Sequence, residues 1–249
     1  MQVSNHATKG GLAIVIASFF WGTTGTSAHF LTGVSPLAIG AFAMGLGGLL
    51  LVLASYQDII RDMAKLKQNK SWVLLGGLGV ALYPLAFYSA MNLAGVAIGT
   101  VISIASAPLF TVLLERVFNQ KPITVLWLIK FTLGVIGVYF LVAVKSAHFE
   151  PIVSFENTSS PQHSTNTNQL LGVLLGLVAG FTYALYAWVA RNLIKKGTHS
   201  KSAMASVFGV AALLLLPPLL FIEHHLFATP QNASIALYMA VFPMFMGYL

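Results

Sequence analysis

Residues 36–56 read PLAIGAFAMGLGGLLLVLASY, and this stretch contains no charged side chain. The hydrocarbon core of a bilayer is roughly 30 Å thick, so a helix that rises about 1.5 Å per residue needs about 20 apolar residues to cross it. The stretch meets both requirements, length and composition. It is therefore predicted to be a membrane-spanning helix, and it defines the pattern to look for in the rest of the chain.

Seven more stretches of this kind lie before and after it. Only 8% of the 249 residues are charged and 57% are apolar, whereas a soluble domain carries about 25% charged residues. Backbone groups in lipid must be paired within the chain, and the sequence lacks the alternation of barrel strands, so helices are expected. The predicted fold class is all-α integral membrane, with eight transmembrane helices at residues 10–30, 36–56, 72–92, 96–114, 123–144, 170–190, 203–222 and 234–249.

Lysine and arginine residues concentrate in alternate loops. Of the 13 lysine and arginine residues, the 11 other than Lys130 and Lys145 lie on one side of the predicted bundle. The positive-inside rule places that side, together with the N-terminus, in the cytoplasm. In a soluble protein the net charge of +7 would suggest a nucleic-acid partner. Here topology accounts for the charge, and no nucleic-acid partner is expected.

The first apolar segment has a second interpretation as a signal peptide, because residues 25–28 are small and resemble a cleavage site. The apolar region of a signal peptide spans about 7–15 residues, which is shorter than this segment. A retained helix is therefore expected.

The polar stretch 146–169 is predicted to be an external linker, because it is rich in Ser, Thr and Asn and lacks Lys and Arg. It separates residues 1–145, with five predicted helices, from residues 170–249, with three. Two repeats of five helices would have opposite orientations in the membrane, as in many secondary transporters. We therefore expect a ten-helix 5+5 inverted repeat whose last two helices would follow the end of this chain.

Pairs of aligned residues support the repeat. At an offset of 162 residues Trp21 aligns with Tyr183, and at an offset of 165 residues Tyr83 aligns with Tyr248. Single matches between apolar segments arise easily by chance, but a nearly constant offset does not. The two parts are therefore predicted to be copies of one unit.

Several short motifs follow one another in a characteristic order. Residues 20–26 read FWGTTGT, Ser35-Pro36-Leu37 opens the second segment, residues 107–111 read APLFT and residues 134–139 read GVIGVY. In this order the sequence resembles the drug/metabolite transporter superfamily, EamA-like branch, over essentially its whole length. The resemblance implies ten helices, both termini in the cytoplasm, and movement of small metabolites across a bacterial inner (plasma) membrane.

Polar and aromatic side chains inside the predicted helices are the candidates for a substrate pathway. Hydroxyl groups line a pathway without the cost of a buried charge, and a proline frees a backbone carbonyl that can face a cavity. The alternative for each hydroxyl is a hydrogen bond within the bundle, worth about 0.6 kcal/mol, and for each proline a structural kink. The candidates are Trp21, Thr23, Thr24, Thr26, Tyr83, Tyr88, Asn92, Ser103, Ser106, Pro108, Tyr183 and Tyr186.

Charged and interfacial residues narrow the substrate class. Lys130 is expected to extend its ammonium group to the interface, and Trp188 is expected to lie in the interfacial belt. All six carboxylates fall in loops or at helix ends, so a neutral, zwitterionic or anionic substrate fits better than a cation.

The triplets that begin at Asn157 and Asn232 match the N-glycosylation pattern on the external side.

These features predict a secondary-type transporter, not an enzyme. It would export a small metabolite, such as an amino acid, a carboxylate or a related neutral or anionic compound, by alternating access. An integral membrane enzyme would need a buried nucleophile, a His/Asp pair or a metal cluster, and a non-transporting membrane scaffold would not need the repeat; both stay as alternatives. Cysteine-based sites are excluded because the chain has no cysteine. No cofactor or metal is expected, and the expected partners are the substrate and the lipid bilayer, with a homodimer as an option.

Overall fold

The computed structural model describes residues 2–122, 124–148, 166–221 and 225–249, and within these it describes only the backbone of 2–9, 130, 138, 139, 141–148, 166 and 167. The side chain of Lys130, the glycosylation triplet at Asn157 and most of the predicted linker therefore lie outside the described residues. The helices are α1 (Gln2–His29), α2 (Pro36–Ala54), α3 (Tyr56–Gln68), α4 (Lys70–Ala94), α5 (Val96–Asn119), α6 (Val125–His148), α7 (Asn166–Lys195), α8 (Ser200–Leu219) and α9 (Pro230–Met239), which continues into a π-helical segment (Ala240–Met246).

The all-helical prediction is confirmed for the described residues, none of which forms a strand. Within them, six helices are long and apolar enough to cross a membrane: α1, α2, α4, α5, α7 and α8. The predicted fifth segment corresponds to α6, whose described apolar part is Val125–Gly137. The predicted eighth segment corresponds to the ten residues of α9 and the seven of the π-helical segment.

The basic segment after α2, predicted to be a loop, is the amphipathic helix α3. Asp62 and Leu66 occupy its buried face, while Lys65 and Lys67 lie in its last turn, where cations complement the helix dipole. A stripe of buried residues at helical spacing distinguishes such a helix from a loop. In the sequence, the surrounding lysine and arginine residues mask the helical spacing of these buried residues.

Two helices begin with the same local chemistry. The Ser35 hydroxyl accepts from the backbone N–H of Ala38 at the start of α2, and the Thr229 hydroxyl accepts from that of Asn232 at the start of α9. In each case a proline occupies the first helical position, where its missing N–H costs nothing. Hydroxyl caps of this kind satisfy amide groups that would otherwise stay unpaired.

Glycines bring the middle of the bundle into backbone contact. In α2, a Cβ atom at Gly48 would lie 2.6 Å from the carbonyl oxygen of Phe208 in α8. In α4, a Cβ at Gly76 would lie 2.9 Å from a methyl carbon of Val189 in α7. Small residues allow this close packing between membrane helices. The α2–α8 and α4–α7 contacts therefore form the centre of the fold.

The end of the bundle that carries the starts of α4 and α8 and the ends of α5 and α7 is rich in basic residues, and we call it the basic end. Here Asp62 accepts from the backbone N–H of His199 at 2.7 Å and from Lys65 at 2.9 Å. Lys65 also donates to the carbonyl of Gly197 at 2.6 Å. The backbone donor and then the lysine hold the pKa of Asp62 down, at about 2. The Asp62 carboxylate thus links α3 to the start of α8.

We expect Asp62→Asn to lower the free energy of unfolding by about 2 kcal/mol at pH 7, because the folded-state pKa of this carboxyl lies below its ordinary value. The contribution is complete above pH 4 and is lost as the pH falls through about 2. Thermal unfolding in detergent at pH 7, 4 and 2.5 measures the difference. Asp58→Asn on the same helix is the matched control, since Asp58 makes only a 3.8 Å pair with exposed Arg61. Equal effects of the two variants would contradict the assignment.

At the opposite end of the bundle, Asn232 joins the loop after α1 to the start of α9. Its amide nitrogen donates to the carbonyls of Thr32 at 2.9 Å and His225 at 3.0 Å, and its amide oxygen accepts from the backbone of Thr32 at 3.3 Å. The side chain is only 1% exposed. A glycan cannot be attached to this amide in the folded protein, so the triplet at Asn232 is a chance match.

Candidate functional site

A cavity of about 760 Å³ lies between α1, α4 and α5, with contributions from α7 and from the π-helical segment and the residues after it. Its residues on α5 run from Val96 to Thr111, so it is displaced away from the basic end, where α5 finishes at Asn119. The volume falls within the range of about 300–1,000 Å³ typical of small-molecule sites.

Most of the candidate pathway residues meet in this cavity. Five of them come from α1 and α4, and three come from α5 and α7. The members that line it are Trp21, Thr24, Thr26, Tyr83, Tyr88, Ser103, Pro108 and Tyr183.

The other four candidates lie outside the cavity lining. The Thr23 hydroxyl donates to the carbonyl of Phe20 at 2.7 Å and lies 2.8 Å from the Tyr238 hydroxyl. Asn92 is exposed near the end of α4. Ser106 is buried and donates to the carbonyl of Ser103 at 3.3 Å.

Tyr186, the last of these four, lies directly behind the cavity wall. Its hydroxyl is 2.8 Å from that of Tyr248, which lines the cavity. Tyr186 therefore positions a lining side chain without itself facing the cavity space.

Three hydroxyl groups in the cavity wall have no hydrogen-bond partner in the described structure: Thr24 Oγ1, Tyr88 Oη and Thr100 Oγ1. They come from α1, α4 and α5, three different helices. An unpaired buried hydroxyl costs about 1–3 kcal/mol, so their common location calls for an explanation. The hydroxyls of Ser103 and Thr111 in the same wall instead donate to the carbonyls of Gly99 and Ala107 at 2.7 and 2.9 Å.

Aromatic rings form a large part of the cavity wall. The ring of Tyr83 lies 5.5 Å from that of Tyr183, and the ring of Trp21 lies 5.0 Å from that of Tyr248. The indole N–H of Trp21 also donates to the carbonyl of Pro243 at 3.0 Å. These contacts orient the rings of α1, α4 and α7 around one space.

Helix irregularities lie beside the cavity. Pro84 of α4 and Pro108 of α5 both line it, and each removes one backbone hydrogen bond from its helix. Pro243 lies within the π-helical segment Ala240–Met246, a form often found at functional sites. The carbonyl of Pro243 is the one that Trp21 binds.

None of the side chains that line the cavity within the described ranges is charged. On α5, one turn beyond the lining residue Thr111 toward the basic end, Glu115 pairs with Arg191 of α7 and, at 2.9 Å, with Lys121. No group of three or more potential metal ligands occurs among the described residues. The chemistry of the cavity is thus that of rings and hydroxyl groups.

The predicted interfacial position of Trp188 is wrong. The residue is 3% exposed, and its ring lies 5.1 Å from the rings of both Trp72 and Phe118. The ammonium of Lys196 lies 4.7 Å above the Trp72 ring, close enough for a cation–π contact. At the basic end, this cluster and the Glu115–Arg191 pair hold α4, α5 and α7 in contact with one another.

The candidate list missed several lining residues, of which Thr100, Phe87 and Tyr248 are the most important. Spacing would have found Thr100, because positions 100, 104, 107 and 111 of α5 recur at helical period on one face. The alignment of Tyr83 with Tyr248 across the two parts of the chain already pointed to Tyr248. Nothing in the sequence marked Phe87 as a lining residue except its position one helical turn after Tyr83.

Comparison with known proteins gives one family. The profile described as the EamA-like transporter family matches residues 8–143 and 170–249, which is most of the chain. The chain is 31% identical over 233 residues to the "Uncharacterized transporter YwfM" of Bacillus subtilis, covering 92% of this chain and 71% of that protein. It is 23% identical over 249 residues to an "Uncharacterized transporter" of Clostridium kluyveri, covering 97% of this chain and 75% of that protein.

A crystal structure has a similar fold. It superimposes with a TM-score of 0.64 at 17% identity, covering 97% of this chain and 77% of the solved chain. At this identity the likeness concerns the arrangement of helices alone.

Proposed function

Because this chain belongs to the EamA-like transporter family and is a multi-pass membrane transporter, we propose that it moves a small metabolite through the cavity by alternating access between two inverted repeats. The proposed direction is export across the cell inner (plasma) membrane. The observation that carries the proposal is the cavity itself, which gathers unpaired hydroxyl groups and rings from several helices. Membrane scaffolds have no need of such a space, whereas a transporter has.

The proposed repeat of residues 1–145 and 170–249 is supported by the ring pairs in the cavity wall. The alignment equates Tyr83 with Tyr248 and Tyr183 with Trp21. The Tyr83–Tyr183 contact at 5.5 Å and the Tyr248–Trp21 contact at 5.0 Å are therefore equivalent under exchange of the two repeats. If the alignment were a chance match, the aligned residues would not form two ring contacts that correspond to each other.

The hydrogen bonds at the two ends of the bundle also correspond. At the basic end, Asn69 at the start of α4 accepts from Lys196 in the loop between α7 and α8 at 3.0 Å. At the opposite end, Asn232 at the start of α9 binds Thr32 in the loop between α1 and α2 at 2.9 Å. Each bond joins the third spanning segment of one repeat to the first loop of the other. This correspondence favours eight segments of a ten-helix plan.

Orientation follows from the charges. The positive-inside rule places the basic end, and with it the N-terminus, in the cytoplasm. The described conformation then has its cavity toward the external side and is closed on the cytoplasmic side by the Trp188 cluster and the Glu115–Arg191 pair. Such a state is one of the two that alternating access requires.

Reconstitution tests the proposal. Liposomes containing the full chain are incubated with a mixture of amino acids, carboxylates, nucleosides and sugars, and their contents are measured by mass spectrometry. We expect accumulation of at least one compound above lipid-only vesicles, in the population whose basic end faces the outside, which corresponds to export. Equal contents in the two preparations for every compound would refute transport. Accumulation confined to the opposite population would refute export alone.

A further inference from the structure

We propose that the cavity selects an uncharged polar molecule that carries a flat ring, and that it discriminates against carboxylates, phosphates and amines. This inference rests on the proposed transport function and narrows its substrate class. It follows from three features of the wall: the missing counter-charge, the unpaired hydroxyl groups and the rings.

The first feature is electrostatic. The lining side chains within the described ranges include no Lys, Arg, His, Asp or Glu. On α5 and α7, the charged groups Glu115 and Arg191 pair with each other at the basic end. An ion that enters the cavity would exchange its hydration shell for a wall without an opposite charge, and such desolvation strongly disfavours binding. A zwitterion carries two charged groups and would incur this desolvation cost at both.

The second feature is the set of hydroxyl groups on the wall residues Thr24, Tyr88 and Thr100, which are buried and unpaired in the described conformation, so that a ligand reaches them when their side chains turn into the cavity. A hydroxyl donates one hydrogen bond and accepts others, so it matches neutral amide, carbonyl and hydroxyl groups of a ligand equally well. A site built to bind such groups rejects analogues that lack them, because its own polar groups then stay unpaired. The three hydroxyl groups therefore favour a ligand with several neutral hydrogen-bonding atoms.

The third feature is the proportion of aromatic side chains. Six rings line the cavity, and apolar contacts with them suit a flat ring that can lie against their faces or edges. Residues with unpaired hydroxyl groups and residues with rings line the same space, so one ligand would meet both kinds of contact. The six are Trp21, Tyr83, Phe87, Tyr88, Tyr183 and Tyr248.

Uptake of matched probes into liposomes that contain the full chain tests the proposal. Uridine and inosine are uncharged and carry a flat ring, their 5′-monophosphates add an anion, and ribose lacks the flat ring. We expect uptake of at least one of the two nucleosides to exceed that of its monophosphate and of ribose by tenfold or more. Equal or faster uptake of a monophosphate or of ribose would overturn the selectivity.

The broad mixture used to test transport separates the two ways of failing. If a carboxylate or an amine in it is transported and neither nucleoside is, the substrate class is wrong and the transport function stands. If no compound enters above the lipid-only level, both proposals fall.

Two substitutions probe the hydroxyl groups directly. Thr24→Val and Thr100→Val keep the shape of the side chain, and each is expected to raise the KM for the transported nucleoside at least tenfold. The midpoint of thermal unfolding should stay the same or rise, because the hydroxyl has no partner in the protein. Thr182→Val is the control, since its hydroxyl lies outside the cavity and donates to Val178 at 2.9 Å. An unchanged KM in both cavity variants would refute the role of the hydroxyl groups.

Discussion

Replacing Gly22 by phenylalanine is expected to reduce transport by about a hundredfold, which corresponds to about 3 kcal/mol of lost binding free energy. Gly22 lines the cavity on α1, and a Cβ atom added there meets no other atom within 4 Å. A large side chain on this lining residue therefore fills open space without displacing the helices around it. Uptake into liposomes, normalised to the amount of folded protein, measures the effect.

Gly134→Phe provides the matched control for this substitution. Gly134 lies on the exposed part of α6, and a Cβ atom there also meets nothing within 4 Å. Both variants add the same ring to an open position on a helix, but only Gly22 lines the cavity. Equal transport by the two variants would show that the cavity is not on the substrate pathway.

Gly48→Leu is expected to have the largest effect on stability. A Cβ atom at this position would lie 2.6 Å from the carbonyl oxygen of Phe208 and 3.5 Å from Cβ of Ala212, so α2 and α8 must move apart. Overpacking of this kind costs about 1–3 kcal/mol or more, and each kcal/mol lowers the midpoint of thermal unfolding by about 2–4 °C in a chain of this size. Because a backbone carbonyl cannot rotate away as a side chain can, we take the upper figure of about 3 kcal/mol and expect a decrease of about 6–12 °C in detergent.

The control for Gly48→Leu is Gly137→Leu on α6, where a Cβ atom meets nothing within 4 Å. Its midpoint should remain within about 2 °C of the parent, because exposed substitutions usually change stability by less than about 0.5 kcal/mol. Similar decreases in both variants would mean that the α2–α8 contact does not hold the bundle together.

Apolar length and charge predicted most of the bundle, because the requirement to span lipid is a property of each segment alone. The turn at Gly95, where φ is +86°, separates α4 from α5 as the sequence predicted. Helix α3 was not predicted because only two of its residues, Asp62 and Leu66, are buried. Two residues are too few to reveal a helical pattern within a basic segment. The π-helical segment around Pro243 depends on contacts with α1 and α2 that no local pattern reveals.

The cavity could be predicted in its composition but not in its geometry. Polar residues in apolar helices marked Thr23, Thr24 and Ser106 alike, yet only Thr24 lines the cavity with an unpaired hydroxyl. The difference lies in partners from elsewhere in the chain: Tyr238 lies beside Thr23, and α7 covers Ser106 through Gly180. Which hydroxyl remains unpaired depends on helix rotation and packing, and these are tertiary properties.

The central claim is that the two repeats move against each other around the cavity, and a reversible cross-link between them tests it most directly. A Cβ atom at Gly176 of α7 would lie 3.3 Å from Cβ of Ile102 in α5, close to the spacing of a disulfide. The chain has no native cysteine, so Ile102→Cys/Gly176→Cys introduces a single pair. The single variants Ile102→Cys and Gly176→Cys, treated with the same oxidant, are the controls, because neither can form the bridge within one chain.

The decisive measurement is uptake by the oxidised and then reduced Ile102→Cys/Gly176→Cys protein in liposomes. We predict that oxidation abolishes uptake by the double variant, that reduction restores it, and that both oxidised single variants keep most of their activity. Full uptake by the cross-linked Ile102→Cys/Gly176→Cys protein would contradict movement between the repeats.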